Sequence, residues 1–406
     1  MDYSSQSLAG RPPVTEALAM GRRRWAVVVL FALVLCSNQA QVSFLISQQT
    51  QIQLQYGLGE LASSLSILII PLLCIMLSIP CGRLIDQVGF RRGAALGSGL
   101  LALSLFFRFD NSFFSLMAGQ VFIGLSQPML MNGMSRMAIE WFSEPERGTA
   151  IGISTAGLFL GLAAGLGLPP LLVATFGITQ ALFLVGLLGL FPAVLLWFVS
   201  KTSSVRRRGG QGLSGGLARL FRSPGMLPVL VTTIVGCGLF NALALSLEPM
   251  LSEHGLGPET LSAAGALMIL GGVGGSVFIA RIAERLGGKF LALAVCGIGV
   301  IPVMCLLYYA TTHASVLLYA TLLGTLQLPG YALLVTMSEV VAGKDLAAQA
   351  NSLITLAGNI GAGTGIALAV LIHTAFSEWA YVVVFLIALA TIQSLIVMSC
   401  KSIRKL

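Results

Sequence analysis

Long apolar runs recur along the chain from Trp25 to Met398, separated by short polar segments. A helix needs about 20 consecutive apolar residues to cross the hydrocarbon core of a bilayer. Runs of that kind fall near 25–47, 58–81, 93–107, 113–137, 148–172, 180–198, 226–250, 260–280, 289–310, 314–338, 348–373 and 379–399, which predicts twelve transmembrane helices. The runs are continuous rather than alternating, which excludes a β-barrel. The longest polar stretch inside the chain, Lys201 to Ser223, carries Arg206-Arg207-Arg208-Gly209-Gly210 and Ser214-Gly215-Gly216 and reads as a flexible linker. The outline is therefore a tail (1–24), a six-helix bundle (25–200), a linker (201–225), a second six-helix bundle (226–400) and a short tail (401–406).

Composition removes the soluble classes. Hydrophobic residues make up 56% of the 406 and charged residues 9%, against roughly 25% charged in soluble domains. The net charge of +8 could suggest a nucleic-acid partner, but its distribution points to a membrane. Of 23 basic residues, all but Arg108 fall on the side that holds the N-terminus. The positive-inside rule assigns that side to the cytoplasm. Both termini are thus expected in the cytoplasm, the membrane is expected to be the inner one, and the basic excess also suits anionic headgroups. The run from Arg22 to Cys36 lacks a small-x-small cleavage site, so it reads as an uncleaved first helix rather than a secretory signal. The seven cysteines lie within spans or at their ends, so no disulfide framework is expected. His254, His313 and His373 are isolated in sequence, and no metal, nucleotide or hydrolytic motif appears. The expected protein is not an enzyme, holds no cofactor and acts as a monomer.

The two halves echo each other at an offset of about 200 residues. Gly82 to Arg91, after span 2, is matched in charge order by Ala280 to Lys289 after span 8, and Gly124 and Gln127 by Gly324 and Gln327. Parallel repeats of this kind occur in major facilitator transporters. Gly82 to Arg92 moreover resembles the signature loop of that superfamily, G-x-L-x-D-x-x-G-x-R-R. The resemblance implies an all-α membrane fold of twelve helices in two pseudo-symmetric six-helix bundles, working by alternating access. In such a loop Gly82 and Gly89 would turn the chain tightly. Asp86 would meet a helix N-terminus of the other half, and Arg91 and Arg92 would sit at headgroup level, together latching a cytoplasmic gate. The plainer reading is a positive loop that only fixes orientation.

Three further patterns bear on function. Gly157, Gly161 and Gly165 in span 5, followed by Pro169-Pro170, form a small-residue stripe expected to let helices slide closely between halves. Amides and a phenol recur at mid-membrane depth: Asn38, Gln39 and Gln41 in span 1, Gln127 and Asn132 in span 4, Asn241 in span 7, Gln327 and Tyr331 in span 10, Asn359 in span 11. Polar groups at that depth are costly unless they line a cavity or find partners. Asn38, Gln41, Gln127, Asn241, Gln327, Tyr331 and Asn359 are the candidate substrate ligands; the plainer reading is hydrogen bonding between neighbouring helices. Acidic residues stay in loops or near helix ends, Glu248 being the deepest, and Gln120 stands where proton antiporters of the superfamily place an arginine. A facilitated carrier is the simpler reading, with Glu248 as the one candidate coupling carboxylate.

Within the superfamily the chain resembles the FLVCR family, linked to choline, ethanolamine and haem transport. The resemblance rests on Arg23-Arg24-Trp25 through Ser37-Asn38, Gly119-Gln120 through Gln127, Ser135-Arg136 through Trp141-Phe142, Pro169-Pro170, and Leu239-Phe240-Asn241-Ala242-Leu243. The family's choline site resembles an aromatic cage that holds a quaternary ammonium by cation–π attraction. By position its span 1 tryptophan falls on Val42, its span 7 tyrosine on Asn241 and its span 11 glutamine on Asn359, while its span 4 glutamine is kept as Gln127. An amide-lined cavity without that cage is expected to take a neutral or anionic polar solute. The alternatives are a proton-coupled drug or siderophore exporter, and a membrane sensor or assembly factor that transports nothing.

Overall fold

The computed structural model describes residues 14–108, 110, 112–143, 146–200, 219–223, 225–285, 289–342 and 347–399. Most of the linker expected at 201–225, the outermost residues of both tails and the side chains of Asp86, Arg281, Glu284, Arg285 and Lys289 lie outside the described residues. The long helices are α1 (Val14–Phe44), α2 (Glu60–Val88), α3 (Phe90–Leu103), α4 (Phe113–Trp141), α5 (Arg147–Gly167), α6 (Pro169–Val199), α7 (Met226–Ser252), α8 (Pro258–Arg285), α9 (Lys289–Tyr308), α10 (His313–Ala342), α11 (Ala347–Phe376) and α12 (Trp379–Ser399). Among the described residues, 9 of these helical regions are long and apolar enough to cross a membrane, and Ala292–Tyr308 is apolar but shorter. The chain is an integral, multi-pass membrane protein.

The connections show why the chain turns where it does. A 3-10 turn (Ile46–Gln48) and a short helix (Gln49–Tyr56) follow α1, and Gly57 ends the short helix at φ 62°. Between α2 and α3 stands only Gly89, at φ 84°, where any other residue would be strained and would crowd the Glu140 carboxylate. At Pro169 the structure departs from the pattern. Span 5 was expected to run to 172, but α5 ends at Gly167 and Pro169 opens α6. Proline has no N–H to offer a preceding turn, yet the first turn of a helix needs none, so it starts a helix rather than extending one. Gly177, at φ 78°, then breaks α6 into two pieces.

Packing within each half repeats with a shift of six helices. α1 lies on α5 and α6, α2 on α4, and α3 on α4 and α6; likewise α7 lies on α11 and α12, α8 on α10, and α9 on α10 and α12. The halves meet through α5 with α8 and through α2 with α11. The glycine stripe does not form that seam. A Cβ on Gly157, Gly161 or Gly165 would strike the backbone of Ala32, Cys36 or Ala40, so the stripe seats α5 on α1 within its own half. Gly361 and Gly365 seat α11 on the backbone of Ile234 and Gly238 in α7 in the same way. With no side chain between them, helix axes approach closely and gain dispersion contacts, the main source of helix association in lipid. The seam is lined instead by Gly363 near Pro71 and Ile75, Gly167 against Ala266, and Gly265 against Leu166.

The buried apolar side chains form clusters whose extent differs at the two ends of the bundle. The larger cluster runs through both halves, joining Phe44, Leu45, Ile52 and Leu166 to Leu251, Met268, Ile366 and Trp379. This is the far end, remote from the first and last described residues. At the near end the halves have separate clusters, Phe31, Phe90, Met137 and Leu196 in one and Leu230, Leu293, Met337 and Val397 in the other. Among the described residues, then, one apolar core bridges the halves at the far end and two cores stand apart at the near end. Because the Gly161 contact is with backbone, Gly161→Val must part α5 from α1. Overpacking of this kind costs about 1–3 kcal/mol, to be read as a lowered melting temperature in detergent, whereas Gly152→Val, with open space at its Cβ, should leave it unchanged.

Candidate functional site: polar groups inside the bundle

The face each α1 residue presents follows from 100° per residue. Residues 32, 36 and 40 meet the α5 glycines, and Ser37 and Gln41 face α6. Gln41 is fully buried, its amide oxygen accepting from Ser104 Oγ (3.5 Å) and lying beside Gly186. It therefore packs α1 against the 3-10 turn after α3 and against α6. Gln39, on nearly the opposite face, instead accepts from Gln127 Nε2 of α4 at 3.5 Å. Asn38 is buried, and its Nδ2 finds no acceptor among the described residues; Gln127 Oε1 likewise finds no donor. Asn132 has settled partners, donating to Ser78 O (3.0 Å) and Pro128 O (2.9 Å).

In the second half the candidates divide similarly. Asn241 donates to Cys237 O one turn back (2.9 Å) and Asn359 to Thr355 O (2.9 Å). Tyr331 shares a hydrogen bond with Thr355, and its ring lies with the Cys237 sulfur around Gly358, so α7, α10 and α11 converge there. Gln327 donates to Gly236 O across to α7 (3.1 Å), with the Gln393 amide also packed against Gly236. Val42, where a cage tryptophan would stand, packs beside Ile70, Cys74 and Ile123 in an apolar cluster. Gln120 is fully buried and neither amide atom is bonded among the described residues. Leaving such groups unpaired costs about 1–3 kcal/mol each, so unsatisfied amides inside an apolar bundle call for water or a ligand.

At the near-end loop the side chain of Asp86, on which the expected latch turns, lies outside the described residues, and its described neighbours are tied within the first half. Glu140 of α4 accepts from Phe90 N (3.1 Å) at the start of α3 and from Arg136 Nε (2.5 Å). A carboxylate at a helix N-terminus satisfies orphan N–H groups and the dipole. Arg91 turns to its own half, donating to Trp197 O (3.1 Å), while Arg92 is exposed; Gly82 packs on the Asn132 amide. Nearby, Arg24 pairs with Glu146 at 2.7 Å, and the Ser143 hydroxyl followed by Arg24 holds that carboxyl below the ordinary carboxylate range. Glu140 lies near the end of α4 in the Ser135-to-Phe142 stretch, where i, i+4 spacing pairs it with Arg136 but carries no signal of its contact with the start of α3.

At the far end two carboxylates cross the seam. Glu60, in the first turn of α2, meets His373 Nδ1 of α11 at 2.5 Å, and the imidazole stacks on Trp379 with centroids 3.9 Å apart. His373, isolated in sequence, is thus partnered across the halves. Glu248 of α7 accepts from Thr50 Oγ1 at 3.1 Å, so it lies at the same seam and not among the amides.

Comparison with known proteins agrees with this geometry. The model of the Major Facilitator Superfamily matches residues 27–366, and the chain belongs to that superfamily. It is similar to the human choline/ethanolamine transporter FLVCR2, with 26% identity over 292 residues, covering 66% of this chain and 55% of the relative. It is also similar to the Arabidopsis thaliana probable anion transporter 4, chloroplastic, with 35% identity over 130 residues, covering 31% of this chain and 24% of the relative. The chain spans about half the length of the curated relatives it matches first. Among solved structures, a bacterial homologue of the human lysosomal transporter Spinster, described as inward-facing and unoccupied, superposes with a TM-score of 0.76 at 14% identity over 94% of this chain and 98% of that one. That likeness defines the fold.

The Glu60–His373 contact predicts measurable coupling between halves. A double-mutant cycle of Glu60→Ala and His373→Ala on thermal unfolding should give about 0.5–3 kcal/mol. A coupling near zero would mean that the pair does not tie the seam.

Proposed function

We propose that this protein carries a small polar organic solute across the inner membrane by alternating access, as a facilitated carrier. The observation that carries this reading is the unsatisfied amide set, Gln127 Oε1 and Asn38 Nδ2 with the Gln39–Gln127 pair, in a bundle whose halves, among the described residues, share an apolar core at one end only. Asn241, Tyr331 and Asn359 would supply the facing side, with Gln327 holding α10 to α7 behind them. Substrate bound between the near-end cores would draw them together and release the far end. The far-end seam is then the closed gate, the counterpart of the inward-facing state described for the Spinster homologue, with both termini on the cytoplasmic side where the basic residues gather.

Amides supply donors and acceptors without charge, and Val42 and Asn241 provide no aromatic cage. A neutral or anionic polar solute therefore fits better than a quaternary ammonium, although FLVCR2 is named for choline and ethanolamine. The name of the plant relative, an anion transporter, leans the same way. One observation favours a second reading, proton-coupled export: Glu248 sits on the moving seam with a neutral partner, Thr50.

Uptake or efflux of candidate solutes by proteoliposomes tests both. Gln127→Ala should raise the half-saturation concentration of the transported solute at least about tenfold, the loss of roughly 1.4 kcal/mol of binding, and Asn241→Ala should do so more weakly. Unchanged kinetics in both would remove the amide pocket. Flux that collapses with an uncoupler and with Glu248→Gln would favour proton coupling over facilitated carriage.

A further inference from the structure

Of the contacts that cross the seam, one holds a group that gains and loses charge within the ordinary pH range. His373, in the last turn of α11, meets Glu60, in the first turn of α2, with Nδ1 2.5 Å from Oε2. Its ring also stacks on Trp379 of α12, 17° from parallel at a centroid distance of 3.9 Å. Trp379 is buried, whereas the side chains of His373 and Glu60 keep 20% and 18% of their surface open. The pair is thus backed by an apolar wall and still open at its edge, at helix ends.

The other ionisable groups at this end are engaged elsewhere. α11 packs on α2, α7, α10 and α12. On α2 the far-end group is Glu60 itself. On α7, Glu248 accepts from Thr50; past its end, His254 bonds Ala310 O, and Glu253 acts with Glu378 on Tyr308 of α9. On α10, His313 is bonded to Thr260 of α8, and Tyr319 packs against the shared apolar core. On α12, Tyr381 stacks on Phe376, while Glu378, beside Trp379 in sequence, adds only negative charge. Among the described residues, then, no Lys or Arg bonds the Glu60 carboxylate, and His373 is the group that can neutralise it. A neutral imidazole can still donate Nδ1–H, but the closed seam then encloses a net negative charge. A protonated ring turns the contact into a hydrogen bond between opposite charges and places a cation on the indole face. When the far end opens, water serves the separated groups in either state, so the added proton favours closure. Imidazoles exchange that proton between about pH 5 and 8. The contact is therefore strongest on the acid side of this range and weakens as pH rises through it.

We propose that the Glu60–His373 contact is a proton-sensitive latch on the far end, tightened by acid on that side and loosened at alkaline pH. The latch rests on the two-state motion proposed above. Whatever solute is carried, acid at the far face then holds the protein in its near-end-open form, and the return step slows.

Spin labels at Leu54 and Tyr309, exposed far-end positions in the two halves, report closed and open populations of the full chain in lipid nanodiscs. In the natural protein the closed-to-open ratio at pH 5.5 should exceed that at pH 8 by at least about threefold. His373→Gln can still donate to Glu60 but takes up no proton, so its ratio should be the same at both pH values. Glu60→Gln leaves the imidazole without a carboxylate; it should flatten the pH dependence too, and carries the test if His373→Gln fails to fold. Glu60→Ala should open the far end at both pH values. Equal ratios in the natural protein while Glu60→Ala still opens, or a pH dependence that survives in either Gln variant, would overturn the latch. A far end that stays closed in Glu60→Ala as well would overturn the two-state reading beneath it, and the latch with it.

Discussion

The architecture depends on where apolar side chains are shared between the two halves. In a bilayer, helices gain little from hiding apolar surface, since lipid is as apolar as leucine, so association rests on close packing and a few polar contacts. Within each half that packing is tight, with glycines of α5, α8 and α11 set directly against the backbone of α1, α10 and α7. Between halves, among the described residues, it runs from the far end, where α5 meets α8 and one apolar core continues through both, to the middle of α2, where Pro71 and Ile75 meet Gly363 of α11. On the function proposed above, halves packed tightly within themselves and joined by this seam would move as two bodies.

Polar contacts mark the same division. Those that bind helices within a half, such as Gln41 with Ser104, Asn132 with Ser78 and Gln327 with Gly236, are buried and settled. Those that cross the seam, Glu60 with His373 and Thr50 with Glu248, involve ionisable groups at helix ends. Contacts of this second kind have a ready alternative in water once the far end opens, so their loss is not prohibitive. The unsatisfied amides of Asn38, Gln120 and Gln127 belong to neither group, and the function proposed above uses the first and the last.

Much of the fold was legible because hydrophobic run length is a strong signal in membrane proteins and the repeat offset is visible at Gly124–Gln127 and Gly324–Gln327. Boundaries failed where backbone chemistry competes with hydropathy: Pro169 is apolar, so it reads as span, yet it starts a new helix. Site residues were less legible. Composition locates amides at depth but not the face they occupy, and one step along α1 separates Gln39, which meets Gln127, from positions that serve packing alone. The glycine stripe was visible as a stripe, but a stripe does not say which helix it meets. Long-range pairs such as Glu60–His373, 313 residues apart, leave no local pattern.

The central claim is that the far-end seam and the near-end opening are alternatives, so that releasing one closes the other. Pulsed electron-spin distances on two labelled pairs in lipid nanodiscs test it directly: Leu54 with Tyr309 at the far end and Leu84 with Val340 at the near end, all exposed positions. In a Glu60→Ala background the far-end distance should lengthen while the near-end distance shortens. Distances that stay fixed, or that lengthen together, would show that the halves do not rock about the seam.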